Sequence, residues 1–380
     1  MKQFKINFNA IQLKQADIKR VIEVLESGWL AHGKYSKALE QEICKLTGSK
    51  YCVLVSSCTA ALHLSMIACC VGRGDEVIVP VQTHVATAHA VEYTGAKPVF
   101  VDVELDTGNI DVRCLKKAIS PKTKGIIVVH LAGQSARMKE IMDIAKRRGV
   151  FVVEDCAHAP GTLYRGQHVG TFGITGCFSF YPTKHITTGE GGAVITNDVK
   201  IYNKINHYKA FGIDTPPELR KRPGVYDVCG LGYNYRMTDF QAAMGYSQII
   251  RFKTENLKLR QKIAKNYIRL LSPLRNKISF PDFNKECSYF FFPIYIKNDI
   301  RDLVIMDLKE AQVGVSIHYA TIVPMMSYYK NKYNLSEDLF PNGSYIARHQ
   351  ITLPAQPSLT LAEQKYIAAV LKASLRRRSQ

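Results

Sequence analysis

The chain has 380 residues, of which 46% are apolar, and it carries a formal charge of +19. This apolar content can build a sizeable core in one large α/β unit or two domains, and it excludes disorder over most of the length. The charge raises the question of an anionic partner such as nucleic acid, an acidic membrane or a phosphorylated substrate. Because the basic residues are scattered in short clusters without a nucleic-acid motif, we interpret them as a solvated surface and expect neither a nucleic-acid nor a membrane partner.

The ten cysteines form no C-x-x-C pair and no zinc-ribbon spacing. Their pattern predicts reduced, mostly buried thiols in a cytoplasmic protein rather than a disulfide framework. The first 21 residues are interrupted by charge every few positions and lack the apolar core of a signal peptide. The apolar run at 60–71 is too short to span a bilayer.

The first 50 residues predict two helices, at 13–26 and 36–46, joined by the segment GWLAHGKY. Trp29, the only tryptophan, lies in this segment and is either a packing residue or a ligand contact. From residue 51, five apolar runs alternate with helical patterns: YCVLV, DEVIVP, KPVFVDV, KGIIVVH and VFVVED. The alternation predicts a mostly parallel central sheet with helices on both faces, with ligands bound where the strands end.

The pattern changes near residue 240. A helical stretch over 238–271 closes at Pro273 and is followed by an aromatic strand SYFFFPIYI, a helix over 302–312 and a short strand VSIHY. A tyrosine-rich loop at 322–342, a final helix from Thr360 and a frayed basic tail at 376–380 complete the prediction. We therefore expect a large α/β domain at 1–240, N-terminal helices included, and a smaller α+β domain at 241–380.

The segment CFSFYPTKHITTGEGG, from Cys177 to Gly192, places Lys184 in a polar turn between two strand-like runs. Glycines 189, 191 and 192 remove side chains beside it, so that backbone can pack closely against a ligand. Such a lysine is either a Schiff-base residue for pyridoxal phosphate (PLP) or a solvated loop lysine.

Two further segments predict chemistry at the same sheet edge. In SSCTAAL, the turn from strand to helix can bind a phosphate through backbone N–H groups, or Ser57 and Thr59 can serve as plain helix caps. In FVVEDCAHAPG, Asp155 can pair with a protonated pyridine nitrogen or cap a helix. A metal site of His158 with Glu154 or Asp155 is a poorer interpretation, since no second histidine lies at ligand spacing and His130 ends a different strand.

Six motifs occur in a fixed order: SSCTAAL, PVQTHVATAHAVEYTGAKPVFVDV, HLAGQSARM, EDCAHAPGTLYRG, FSFYPTKHITTGEGG and GLGYNYRMTDFQAA. In this order the chain resembles the sugar aminotransferases of the DegT/DnrJ/EryC1/StrS family, which have the PLP-dependent transferase fold of type I. The resemblance extends from GWLAHGKY to ITLPAQPSLT.

The resemblance implies a set of cofactor residues. Lys184 would form the Schiff base with PLP, and Asp155 would face the pyridine nitrogen. The other implied cofactor contacts are Cys58, Thr59, Ala60, His84, His158, Ser179 and Asn234. Asn234 would reach the phosphate of a neighbouring subunit, which implies a homodimer with shared active sites. Two positions depart from the family pattern: Cys58 replaces a glycine, and Tyr181 replaces a histidine.

The same resemblance implies the reaction. An amino group would pass from L-glutamate to a keto sugar, first of all a nucleotide-linked 4-keto-6-deoxy sugar, with a 3-keto sugar or an 8-keto octulosonate left open. Sugar contacts are expected from Trp29, Tyr319 and the loop 220–226. One alternative is a PLP-dependent sugar dehydratase, whose lysine is replaced by histidine, whereas here His185 follows Lys184. The other is a non-catalytic regulatory or nucleic-acid-binding protein.

Overall fold

A computed structural model describes residues 5–9, 11–215 and 220–378. Its helices are α1 Gln15–Ser27, α2 Lys34–Thr47, α3 Cys58–Ala68, α4 Val85–Glu92, α5 Val112–Ala118, α6 Met138–Arg148, α7 Val199–Tyr208, α8 Asp239–Arg251, α9 Leu257–Leu271, α10 Arg301–Glu310, α11 Ser327–Tyr333, α12 Pro341–His349 and α13 Leu361–Arg377. Its strands are β1 Tyr51–Val55, β2 Glu76–Pro80, β3 Lys97–Val101, β4 Thr123–Val129, β5 Phe151–Asp155, β6 Leu163–Tyr164, β7 Gln167–His168, β8 Thr175–Ser179, β9 Gly192–Thr196, β10 Ile278–Ser279, β11 Phe292–Ile296 and β12 Gln350–Leu353.

The large sheet has seven strands in the order β1-β9-β8-β5-β4-β2-β3. Strands β3, β2, β4, β5 and β8 pair in parallel, and only β9 runs antiparallel to both of its neighbours. Helices cover both faces of the sheet, and successive side chains of a strand point to opposite faces. Ile127 and Val153 enter the core under α3 and α4, while Ile126 and Val152 enter the core under α5 and α6. This confirms the predicted α/β class.

A second sheet, β10-β11-β12, is antiparallel and is covered by α9, α10 and α13. Its core includes Tyr267, Phe292 and Leu371, none of which is more than marginally exposed. Helix α8 packs instead on α1 and α2, where Ala242 and Ile249 meet Leu39. The domain boundary at 240/241 stays a prediction.

Three of the predicted elements in the C-terminal part are wrong. VSIHY is not a strand: Ser316 alone makes an isolated bridge, to Thr352, because the His318 N–H donates to the Gln350 side chain at 2.8 Å. The tyrosine-rich segment is not a loop, since α11 and the start of α12 lie in it. Burial of Tyr329, whose ring lies 5.2 Å from that of Phe100, stabilises α11.

The basic tail is not frayed through residue 378. Asp307 accepts hydrogen bonds from Arg377 and Arg378, the latter at 3.0 Å, and these ion pairs hold the end of α13. Residues 379 and 380 lie outside the described residues. The helical stretch 238–271 also contains a π-helical turn at 252–256, and the strand in SYFFFPIYI begins only at Phe292.

All ten cysteines are free thiols; Cys70 and Cys229 are exposed, and the others are buried or half-buried. Among the described residues, no helix is long and apolar enough to cross a membrane.

Candidate active site

Lys184 lies in the segment between β8 and β9, at the edge where the parallel strands end. Its N–H donates to the Tyr181 carbonyl at 2.9 Å, which closes the turn that carries it. The Nζ atom lies 4.6 Å from the centre of the Phe290 ring. Desolvation lowers the pKa of the Lys184 amine from 10.5 to about 8, against the opposing charge of Asp155. Near neutral pH, Lys184 therefore loses its proton far more readily than a solvated lysine.

Asp155, the last residue of β5, faces the same space. Its Oδ2 accepts a hydrogen bond from Thr87 Oγ1 at 2.9 Å, and its Oδ1 accepts one from the Ala157 N–H at 3.1 Å. Cys58 Sγ lies 3.9 Å from Oδ1. The carboxylate is buried but makes no ion pair within the described chain, so its charge remains available to a cationic group of a bound ligand.

Four aromatic side chains lie around these two groups. The His158 ring stacks on Phe290 with centroids 4.4 Å apart, and it lies 6.5 Å from the Tyr319 ring. Tyr319 in turn lies 6.0 Å from His84. We call the set Lys184, Asp155, Cys58, His84, His158, Phe290 and Tyr319 the Lys184 site.

The surroundings of the histidines in the Lys184 site favour their neutral form. Desolvation first, and the Lys184 charge second, lower the pKa of both His84 and His158. The same two causes lower the pKa of His318, which stacks on Phe291, to about 3. These histidines are thus less able than a solvated histidine to take up a proton beside Lys184.

The predicted phosphate turn, residues 56–59 at the start of α3, has free backbone donors. Ser57 caps the helix by accepting from the Ala60 N–H at 3.0 Å, as the capping interpretation predicts. The N–H groups of Cys58 and Thr59 come before the first intrahelical bonds, and no acceptor for them occurs in the described chain. The backbone of Cys58 is helical, so this position does not require a glycine. Capping and anion binding are therefore compatible.

Of the glycines after Lys184, Gly192 packs closely against protein backbone. A Cβ on Gly192 would lie 2.5 Å from the Ser57 carbonyl carbon and 2.6 Å from the Cys58 nitrogen. Gly192 therefore lets β9 pack closely against the backbone of Ser57 and Cys58, which is a contact within the protein and not with a ligand. Gly189 has a φ of +77°, and a Cβ there would meet nothing within 4 Å.

The remaining predicted residues lie farther out. Ser179 ends β8 half-buried, and Thr59 and Ala60 line a pocket with His63, Tyr93 and Tyr235. Asn234 is exposed, with its Oδ1 accepting from Arg236, and Trp29 is 66% exposed. Within the described residues, neither Asn234 nor Trp29 contacts the Lys184 site of its own chain.

Sequence reasoning missed Phe290, His318 and Thr87. Phe290 and His318 fall in the segments SYFFFPIYI and VSIHY, which the sequence predicts as strands, whereas β11 begins only at Phe292. Thr87 belongs to a hydroxyl-rich segment, QTHVATAH, which is the signal that could have identified it.

A cleft of about 270 Å³ also borders Lys184, from the side of the N-terminal segment and α9. Several polar atoms there are buried without a hydrogen-bond partner, among them His185 Nδ1, Arg260 Nε and Gln356 Oε1. Ordered water commonly completes such sets.

Glu154 belongs to a different environment, on the opposite face of β5. Its Oε1 accepts from the N–H groups of Phe172 and Gly173 at 2.8 and 2.7 Å, and its Oε2 accepts from Gly170 at 2.7 Å. His130 Nε2 donates to the same Oε2 at 3.0 Å, and its Nδ1 accepts from the Ala136 N–H. We call Glu154, His130, Gly170, Phe172 and Gly173 the Glu154 cluster.

The Glu154 cluster is the one group of described residues whose ligand atoms, with Cys156, lie close enough for a metal ion. Both His130 nitrogens and both Glu154 oxygens are already engaged in hydrogen bonds. The cluster is therefore a saturated structural network.

Comparisons with known proteins agree with this geometry. The sequence profile described as the DegT/DnrJ/EryC1/StrS aminotransferase family matches residues 11–372. The chain belongs to this family. A relative from Methanocaldococcus jannaschii, the uncharacterized protein MJ1066, is 36% identical over 355 residues, which are 91% of each chain.

Solved structures give the same result. The putative sugar aminotransferase Spr1654 from Streptococcus pneumoniae, in its PMP form, has a TM-score of 0.92 at 28% identity, covering 98% of this chain and 100% of that one. Helicobacter pylori PseC, an aminotransferase involved in the biosynthesis of pseudoaminic acid, has a TM-score of 0.88 at 27% identity, covering 99% and 100%. Spr1654 is also known in a PLP form. The present enzyme is accordingly a PLP-dependent sugar aminotransferase.

Proposed function

We propose that the Lys184 site holds PLP through Lys184 and transfers an amino group from L-glutamate to a nucleotide-linked keto sugar, first of all a 4-keto-6-deoxy hexose. The observation that carries this proposal is the Lys184 amine, whose pKa is lowered to about 8 while it faces the Asp155 carboxylate. The alternative acceptors, a 3-keto sugar and an 8-keto octulosonate, differ in where the ketone lies.

The residues present fit the cofactor. The free N–H groups of Cys58 and Thr59, with Ser179, would bind its phosphate. Asp155 would face its ring nitrogen, and His158 would face its hydroxyl, since His158 Nδ1 is buried and has no hydrogen-bond partner in the described structure. His84 would lie against the ring. When bound, PLP supplies an electron sink that stabilises negative charge at the substrate Cα.

The protein's own groups would handle the protons. Lys184 Nζ, once neutral, would take a proton from the Cα of the amino-acid donor and would give one to the ketone carbon of the sugar acceptor, which a pKa near 8 allows in both directions. Asp155, which accepts hydrogen bonds from Thr87 and Ala157, would be held facing the ring nitrogen. The lowered pKa values of His84 and His158 disfavour competing positive charge beside Lys184, and the Phe290 ring covers one side of Nζ.

The test of this function is amination by the purified enzyme. L-Glutamate alone should convert bound PLP to its amino form, and a panel of keto-sugar nucleotides should then reveal one that is aminated. Lys184→Ala should lower turnover by roughly a thousandfold or more and leave the fold intact, whereas Lys200→Ala, at an exposed position of α7, should change little. Failure of the wild type to react with any amino acid would contradict the proposal.

We also propose a homodimer in which Asn234 serves the partner's phosphate site. Asn234 is exposed, and the preceding segment exposes apolar side chains, with Leu231 83% exposed and Val225 63%. A second copy would cover this surface. The ten free thiols support the predicted cytoplasmic location.

Complementation tests the shared site. In a mixed dimer of Lys184→Ala and Asn234→Ala chains, one of the two sites keeps both residues. Mixing two nearly inactive variants should therefore restore activity to roughly half of the wild-type value per mixed dimer. If Asn234 acts within its own subunit, no mixture recovers activity.

A further inference from the structure

The positive charge of the chain is scattered in sequence but concentrated on one face of the fold. Helix α9 contains no acidic residue, and α13 contains only Glu363. Exposed cations recur along both helices at helical spacing: Lys258, Lys262, Lys265, Arg269, Lys365, Lys372 and Arg376. We call these seven residues the basic face. With Arg260 and Arg377 included, the two helices hold nine cations and one acid, a net +8 of the total +19.

The two helices lie side by side and run in the same direction. Gln364, in the first turn of α13, donates to the Ile263 carbonyl of α9 at 2.9 Å and accepts from Asn266 at 3.0 Å. Lys277, just after α9, donates to the Leu375 carbonyl near the end of α13 at 3.1 Å. Their inner sides are buried through Tyr267 and Leu371. The outer sides therefore form one continuous surface.

The cations of the basic face are not neutralised by the protein itself. None of the seven forms an ion pair within residues 5–9, 11–215 and 220–378. Glu363 is engaged elsewhere, because it accepts from the N–H and the hydroxyl of Thr360 at 2.7 and 2.8 Å. Lys265 lies 4.6 Å above the Phe283 ring, which leaves its charge uncompensated. Such a surface attracts an external polyanion.

We propose that the basic face docks on a membrane surface rich in anionic lipid headgroups. Five of the seven cations are lysines, which act as point charges on flexible stems and suit mobile phosphates better than fixed bidentate partners. Between them α13 exposes Ala362, Ala369 and Ala373, and Leu361 at its start is 42% exposed. Because the apolar sides of both helices face the protein core, the docking would rest on attraction between the lysines and the anionic headgroups.

Nucleic acid fits the basic face less well. The exposed aromatic ring on the two helices is that of Tyr366, whose hydroxyl donates to the Ala311 carbonyl at 3.1 Å and whose ring lies 5.6 Å from Lys5 Nζ. A base would have to displace Lys5 in order to stack on it. The membrane proposal replaces our interpretation of the charge as merely solvated. It is independent of the proposed reaction, since the basic face contains no residue of the Lys184 site.

Co-sedimentation of the PLP-loaded enzyme with vesicles tests the docking. We expect the wild type to pellet with phosphatidylcholine vesicles containing phosphatidylglycerol, to stay in solution with pure phosphatidylcholine, and to be released by high salt. The variant Lys262→Glu/Lys265→Glu/Lys372→Glu should bind about 100-fold more weakly. The matched control Lys116→Glu/Lys139→Glu/Lys146→Glu, also exposed and outside the basic face, carries the same charge change and should bind within about threefold of the wild type after allowance for net charge.

The same variants separate the possible outcomes. Turnover and the unfolding midpoint of the face variant should match those of the wild type, which excludes misfolding as the reason for lost binding. Equal loss of binding in both triple variants would mean that net charge, and not the basic face, attracts the vesicles, and would overturn the proposal. It would also be overturned if the wild type failed to pellet, or if it bound duplex DNA more tightly than the anionic vesicles through the same three lysines.

Discussion

Strand β5 ends in two adjacent carboxylates that have opposite surroundings. Glu154 accepts four hydrogen bonds, three of them from backbone N–H groups, and is saturated. Asp155 accepts two hydrogen bonds at normal distances, lies near the Cys58 thiol, and faces a lysine amine. Both are buried, so burial alone does not distinguish them. The difference shows that a buried carboxylate is available for chemistry only when some of its capacity to accept hydrogen bonds is left unused by the protein.

The substitution Asp155→Asn is the first test of the contrast between the two carboxylates. The amide oxygen can still accept from Thr87 or Ala157, so the fold should persist, but the negative charge facing Lys184 is lost. We expect turnover to fall on the order of 100-fold, with the unfolding midpoint little changed. Steady-state kinetics and thermal unfolding of the same preparation check both parts. If the unfolding midpoint falls together with the turnover, Asp155 is a structural carboxylate like Glu154.

Glu154→Gln should have the reverse effect. A glutamine presents an NH₂ group to backbone donors that need an acceptor, and it leaves the His130 Nε2–H without a charged partner. We expect a loss of about 2–3 kcal/mol in the free energy of unfolding, while the folded fraction keeps most of its turnover. Denaturant unfolding measures this, with Glu26→Gln at an exposed position of α1 as the control. If stability is unchanged, the Glu154 cluster is not the structural network described here.

The sequence predicts the surroundings of Asp155 better than those of Glu154. The position of Asp155 and Lys184 at one sheet edge follows from strand order and could be predicted, because parallel strands end on the same side. The saturation of Glu154 could not, since its donors at 170–173 lie in irregular backbone with no local pattern. Phe290 and His318 were missed for a similar reason: their role depends on tertiary contacts with His158 and Phe291 rather than on spacing.

The smallest predicted effect concerns pH and applies to Lys184 in the apoenzyme. The folded pKa of about 8 lies below the unfolded value of 10.5, so the folded state binds fewer protons between these values. The contribution of Lys184 to stability should therefore improve as pH rises from about 8 to 10.5. Its labelling by an amine-specific reagent should rise about tenfold per pH unit below 8 and level off above it.

The denatured chain is the control for this titration. There Lys184 should continue to gain reactivity up to about pH 10, because desolvation no longer lowers its pKa. Mass spectrometry of the peptide that contains Lys184 follows both titrations. If the folded and denatured profiles coincide, Lys184 is a solvated lysine, and the contrast between the Lys184 site and ordinary surface lysines disappears.

The most direct test of the central claim is to locate the covalent link to the cofactor. The PLP-loaded enzyme is reduced with borohydride, digested, and searched by mass spectrometry for the cofactor mass on each of its lysines. The structure predicts that the mass is found on Lys184 and is lost in Lys184→Ala. Cofactor attached to another lysine, or no attachment in an enzyme that binds PLP, would contradict the role of Lys184.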